Sequence, residues 1–115
     1  DAAHVVASDY VGMVSANAEP AKMEKSGFHT TRSEFVDAPL IDELPVALEC
    51  QFIKVNEDGN VIGKIVNISV DESVLGADGI DFGKFRPISF EPAHNGYHVL
   101  GERVGSAFKD GAALK

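Results

Sequence analysis

Val46-Ala-Leu-Glu-Cys-Gln-Phe-Ile-Lys-Val55, then Asn56-Glu-Asp-Gly-Asn60, then Val61-Ile-Gly-Lys-Ile-Val-Asn-Ile-Ser-Val70 reads as a long β-hairpin. In the first arm Val46, Leu48, Cys50 and Phe52 alternate with Ala47, Glu49, Gln51 and Ile53, the period of two that a strand imposes. The middle five residues are turn formers. In the second arm Ile62, Val66, Ile68 and Val70 share a face that Lys64 interrupts, and Gly63 allows a close backbone approach. Both faces of the hairpin carry apolar residues, whereas a strand with one wet face alternates more cleanly.

Working outward, Ala3, Val6, Ala7, Tyr10, Val11 and Val14 recur at offsets of mostly three and four, which predicts a helix over the first 14 residues or so. Asn17 is the expected N-cap of a second helix, with Glu19 in its first turn and Pro20 tolerated there. That helix runs through Ala21–Lys25 and stops at Gly27. From His29 to Pro45 two prolines and four acids favour an extended or looped chain. Asp71–Gly83 reads as loop or short helix. Ile88–Glu91 and Tyr97–Leu100 are short strands around an Asn95-Gly96 turn. The tail from Gly101 is spaced by Gly and Ser and has a basic end. Two helices followed by at least four strands give a mainly β chain with flanking helices (α+β), one domain over residues 1–115. Four strands leave open edges, which a partner chain or further strands must cover.

The 115 residues carry 18 acids and 10 bases, a formal charge of −8. That field repels phosphate backbones, so nucleic acid is not an expected partner. No apolar run reaches the roughly 20 residues of a membrane helix, so no membrane partner is expected either. The opening, Asp1-Ala-Ala-His-Val-Val, has neither the basic region nor the apolar core of a secretory leader. With a single cysteine, Cys50, this suits a reducing, cytoplasmic setting.

Side chains alone signal little chemistry. His94 and His98 are separated by a turn rather than stacked on a helix, and no cysteine pair exists, so no metal site is expected. Cys50 sits on the apolar face of its strand and reads as a buried, inert thiol. No nucleophile elbow or Walker spacing occurs, so no catalytic residue is assigned.

Four blocks in order resemble the flavin reductase-like family, the FMN-binding split-barrel proteins. They are Val14–Phe28; Phe35–Pro39 leading to Glu43–Cys50; Gly63–Leu75; and Arg86–Phe90 with Gly96–Phe108. The resemblance implies an FMN-binding, Greek-key split β-barrel, incomplete in this chain. Family members are longer, so this chain is expected to be the C-terminal part of such a domain, short of its first barrel strands. The family match implies that Lys22 lies at the flavin, where a cation stabilises the reduced, anionic form. Ser15 and Asn17 just before it are implied flavin contacts, and read as caps on local grounds. Many members carry a His in the hairpin where this chain has Asp58, followed by Gly59 and Asn60. That change of charge puts nicotinamide binding there in doubt. Phe90 matches an aromatic position near the flavin, and reads as core on alternation alone.

The resemblance implies an NAD(P)H:flavin oxidoreductase in which NADH or NADPH delivers hydride to FMN. The alternative is a non-enzymatic, flavoredoxin-like electron carrier that takes electrons from a redox partner protein. A third reading is a fragment inactive without its N-terminal strands, which would bind FMN poorly. A homodimer built partly from the Val46–Val70 hairpin is expected, because the apolar surface of that hairpin needs a cover.

Overall fold

The two arms of the hairpin fold where the sequence places them. The computed structural model describes residues 1–115. We number the strands β1 to β8 and the α-helices α1 to α3. β3 (Val46–Val55) pairs antiparallel with β4 (Val61–Val70), from Val46↔Val70 at the base to Val55↔Val61 at the turn. Gly59 takes the left-handed conformation (φ 81°) that the turn needs, and Asn60 N–H donates to Asn56 Oδ1 at 2.8 Å.

Strict alternation does not survive the length of this hairpin. Between Glu49↔Asn67 and Cys50↔Ile65, Val66 is an extra residue on β4; between Phe52↔Gly63 and Lys54↔Ile62, Ile53 is extra on β3. Two bulges on opposite strands compensate, so the register closes at the turn while the faces between them are re-aimed. Gly63 lies inside this region, and a Cβ there would sit 3.2 Å from Cys50 Cβ. The close approach expected of Gly63 is therefore present.

A single 3-10 turn, Ala2–His4, capped by the Asp1 carboxylate, leads into α1 (Val5–Met13). α2 (Lys22–Ser26) ends on Gly27 at φ 78°, the expected left-handed stop. Its start corrects the sequence reading. Asn17 is not the N-cap: Ala21 holds that position, and Glu19 Oε1 accepts from Ala21 N–H at 3.1 Å. A turn through Ser15–Glu19 intervenes, because Pro20 delays the first helical residue.

The segment expected to be extended carries a short hairpin, β1 (Thr30–Arg32) with β2 (Pro39–Ile41). Pro39 opens its strand, where its missing N–H breaks no interior ladder. After β4 come a 3-10 turn (Glu72–Val74), the two-residue strands β5 (Leu75–Gly76) and β6 (Gly79–Ile80), and α3 (Phe82–Phe85). β7 (Ile88–Glu91) and β8 (Gly96–Val99) pair around the Asn95-Gly96 turn, with Asn95 at φ 55°. Residues 110–114 form a terminal 3-10 helix.

The eight strands, where at least four were expected, make four separate two-stranded antiparallel sheets without a closed barrel. Only Phe28, Ser33, Glu49 and Val74 are buried. The radius of gyration is 17.2 Å, against about 13–14 Å for a compact domain of this length. The accessible surface is 9111 Å², about 3,000 Å² above the scaling for a folded 12.2 kDa monomer. Much of that excess is apolar: Leu48, Phe52, Val61, Ile65 and Ile68 of the long hairpin are all exposed. No helix is long and apolar enough to cross a membrane.

Candidate functional site

The connection between α1 and α2 is organised by one cation. Lys22 Nζ donates to the carbonyls of Val11 and Val14, both at 2.8 Å. These lie at the C-terminal end of α1, where the helix dipole favours positive charge. Lys22 is thus a partly buried cap of the preceding helix. Its ammonium has three N–H donors, so one is left for another partner. Ser15 and Asn17 lie on the same connection. Ser15 Oγ accepts from Asn17 N–H at 3.2 Å, and the Ser15 carbonyl accepts from Ala18 and Glu19. Ser15 and Asn17 are both exposed.

Phe90 sits on β7 opposite Tyr97, with ring centroids 5.7 Å apart. It is 54% exposed, so it is not a core residue. Alternation predicted burial, but a two-stranded sheet here has no covering layer. Tyr97 Oη donates to Asp9 Oδ1 at 2.8 Å, tying β8 to α1. That bond holds the Tyr97 proton, so its pKa is raised, with desolvation and the Asp9 charge adding to the effect. Thus α1 is a common scaffold for Lys22 at its end and for the Phe90–Tyr97 pair on its flank. Asp58 and Asn60 lie apart from both, at the tip of the long hairpin, where the turn bonds only to itself.

A second cluster centres on Glu49, a residue the sequence reading left among alternating strand positions. It is 4% exposed. Its carboxylate accepts from Ser33 Oγ, from Asn67 Nδ2 and from Ser69 Oγ, the last at 3.0 Å. Ser33 in turn accepts from Phe35 N–H at 2.9 Å and Val36 N–H at 3.0 Å. One carboxylate therefore joins both arms of the hairpin to the 33–38 loop. The hydroxyl of Ser33, then Asn67, then Ser69 hold its pKa below the usual carboxylate range, against the opposing effect of desolvation. The signal was present in the sequence: Asn67 stands opposite Glu49, with Ser69 one same-face step away.

Cys50 corrects another expectation. It is exposed rather than buried, because the face it shares with Leu48 and Phe52 has no covering layer. It borders an apolar cavity of about 210 Å³ lined by Val36, Leu40, Ile41, Leu44 and Leu48. At the start of β1, His29 Nδ1 lies 2.5 Å from Glu43 Oε1, and His29 N–H donates to the same carboxylate at 2.9 Å. Hydrogen bonding to Glu43, then its charge, raises the His29 pKa, and hydrogen bonding to His29 lowers that of Glu43. Asp71 is likewise lowered, by the Ser73 hydroxyl and its N–H.

Comparison with solved structures places these features in a known architecture. Flavoredoxin of Desulfovibrio vulgaris (Miyazaki F) superposes with a TM-score of 0.87 at 37% identity, over 95% of this chain and 60% of that one. The chain is structurally homologous to the flavin reductase/flavoredoxin-like split-barrel proteins. Flavoredoxin from Methanosarcina acetivorans matches at 27% identity with a TM-score of 0.79, over 93% of this chain and 57% of its own. Nitrilotriacetate monooxygenase component B from Bacillus cereus shares the fold at 24% identity and a TM-score of 0.66, over 90% of this chain and 55% of its own. No family model matches the chain, and no curated protein does. The chain spans about three fifths of the length of these flavoredoxin-like structures.

Proposed function

We propose that the chain forms the C-terminal part of an FMN site in a flavoredoxin-like electron carrier. The observation that carries this reading is the likeness to two flavoredoxins at 37% and 27% identity, joined to a Lys22 ammonium whose third donor is unused. FMN, when bound, supplies the redox chemistry. The residues of this chain fit such a group. Lys22 offers one N–H and a fixed positive charge toward an anionic edge or phosphate. Ser15 and Asn17 offer further donors on the same connection. The exposed face of Phe90, braced by Tyr97, offers an apolar platform for a flat ring.

Of the two redox readings, the carrier is the one we propose. The two flavoredoxins among the similar structures support it. The carrier takes electrons from a redox partner protein and passes them on; the NAD(P)H-dependent reading stands second. We further propose a two-fold homodimer in the cytoplasm. Its motive is the excess surface and the exposed apolar residues of β3 and β4. Steady-state oxidation of NADH or NADPH with free FMN separates the readings. A carrier shows no protein-dependent oxidation above the free-flavin rate, and turnover saturable in NADH or NADPH would favour the reductase.

A further inference from the structure

The β7–β8 hairpin is set on α1 by hydrogen bonds rather than by packing. Neither the helix nor either strand contains a buried residue. Two bonds join them. Ala2 N–H, in the turn that leads into α1, donates at 3.0 Å to the carbonyl of Arg86, just before β7. Tyr97 Oη on β8 donates at 2.8 Å to Asp9 Oδ1, across 88 positions of sequence. No other hydrogen bond runs between residues 1–14 and residues 86–100. With the first bond alone, the hairpin is free to rotate about Arg86. The second removes that freedom, and its acceptor is a carboxylate, which makes it roughly twice as strong as a bond between neutral groups.

These bonds hold the two parts of the candidate site to one frame. Phe90 stands opposite Tyr97 in the register, with the ring planes at 58°. The phenol that Asp9 grips is therefore the wall against which Phe90 leans. On the same helix, the carbonyls of Val11 and Val14 hold the Lys22 ammonium. An α-helix rises about 1.5 Å per residue, so Asp9 precedes the first Lys22 anchor by about 3 Å along the axis. Cation and aromatic pair are thus referred to neighbouring turns of one helix. A rigid ligand with a flat ring and an anionic group needs both at a fixed separation, within about 0.5 Å for a well-formed site.

We infer that Asp9 is a positioning residue of the FMN site: through Tyr97 it fixes the Phe90 ring relative to the Lys22 ammonium, without itself touching the flavin. This rests on the FMN reading above. Flavin fluorescence titrations on the parent, Asp9→Ala, Asp9→Asn, Tyr97→Phe and Asp9→Ala/Tyr97→Phe test it. Phenolate absorbance in a Tyr10→Phe background, where Tyr97 is the one tyrosine left, reports the bond without FMN. In Asp9→Ala, Tyr97 should ionise at lower pH than in the parent, because the acceptor that holds its proton is gone. Asp9→Ala and Tyr97→Phe should each raise the FMN dissociation constant about tenfold, and the double variant should be no weaker, since all three remove one bond. Asp9→Asn, whose side-chain carbonyl still accepts, should stay within about threefold of the parent. Should Asp9→Ala lose helix by circular dichroism, Tyr97→Phe removes the same bond from the other side and decides the matter. A lowered Tyr97 titration with unchanged FMN affinity overturns the positioning role and leaves the FMN site standing. Asp9→Asn as weak as Asp9→Ala assigns the effect to charge and overturns it too, as does an unmoved Tyr97 titration. A parent that does not bind FMN overturns both the role and the reading on which it rests.

Discussion

Removing one hydroxyl, with Ser33→Ala, isolates the carboxylate staple at Glu49. The hydroxyl donates to a carboxylate that is 4% exposed and accepts two backbone N–H bonds from Phe35 and Val36. A hydrogen bond to a charged group contributes about 1.5–3 kcal/mol, and the N–H groups left behind add to the cost. The expected loss is about 2–3 kcal/mol, a fall in Tm of about 8–12 °C for a chain of this size. The pH profile gives a second, more specific reading. Glu49 has a lowered folded-state pKa, with Ser33 the largest cause. Its contribution is therefore present above the unfolded value near 4.5 and is lost as pH falls through the folded value. In Ser33→Ala the folded value moves back toward 4.5, so the acid limb of stability flattens. Urea melts at pH 7 and at a series of pH values below 5 measure both effects. A Ser33→Ala variant within about 0.5 kcal/mol of the parent, with an identical acid limb, would refute the reasoning.

Phe28, 5% exposed against the His4 ring, is one of two buried apolar residues; Phe28→Ala should cost about 3 kcal/mol by denaturant melt. Glu43→Gln should bring His29 back toward 6.5 in an NMR titration, because Glu43 is the largest source of its raised value, ahead of Asp42. The same pair sets a window: the His29 contribution holds below 6.5 and fades as pH rises through its folded value, and that of Glu43 holds above 4.5 and fades below it. Stability lost from Glu43→Gln should therefore be greatest between about pH 4.5 and 6.5.

What the sequence made legible follows from how local each signal is. β3, β4 and their turn came out at the right residues because alternation, β-branched side chains and an Asn-Glu-Asp-Gly-Asn turn all agree. Gly27 and Asn95-Gly96 were legible because a left-handed backbone leaves few choices of residue. The exposure of Cys50 was not legible, since alternation sorts residues into two faces without saying which face is covered, and here the one with Leu48, Cys50 and Phe52 is bare. The Asn17 cap failed because Pro20 permits either a cap before it or a separate turn. Glu49 shows the limit most plainly. A charge among Leu48 and Cys50 reads as a solvent-facing position until its partners are paired across the strands and Ser33 arrives from a loop 16 residues away. Lys22 was singled out by resemblance alone; that it caps α1 depends on the turn that brings the two helices together.

The proposed binding of FMN at the Lys22 connection is read by a titration of flavin fluorescence. Increasing protein is added to dilute FMN, with the parent and with Lys22→Ala in parallel. Saturable quenching below about 1 mM protein is expected for the parent. For Lys22→Ala a midpoint at least tenfold higher is expected, a loss of about 1.4 kcal/mol, with the fold retained by circular dichroism. An absence of saturable quenching up to 1 mM, or isotherms that coincide for parent and variant, would contradict it.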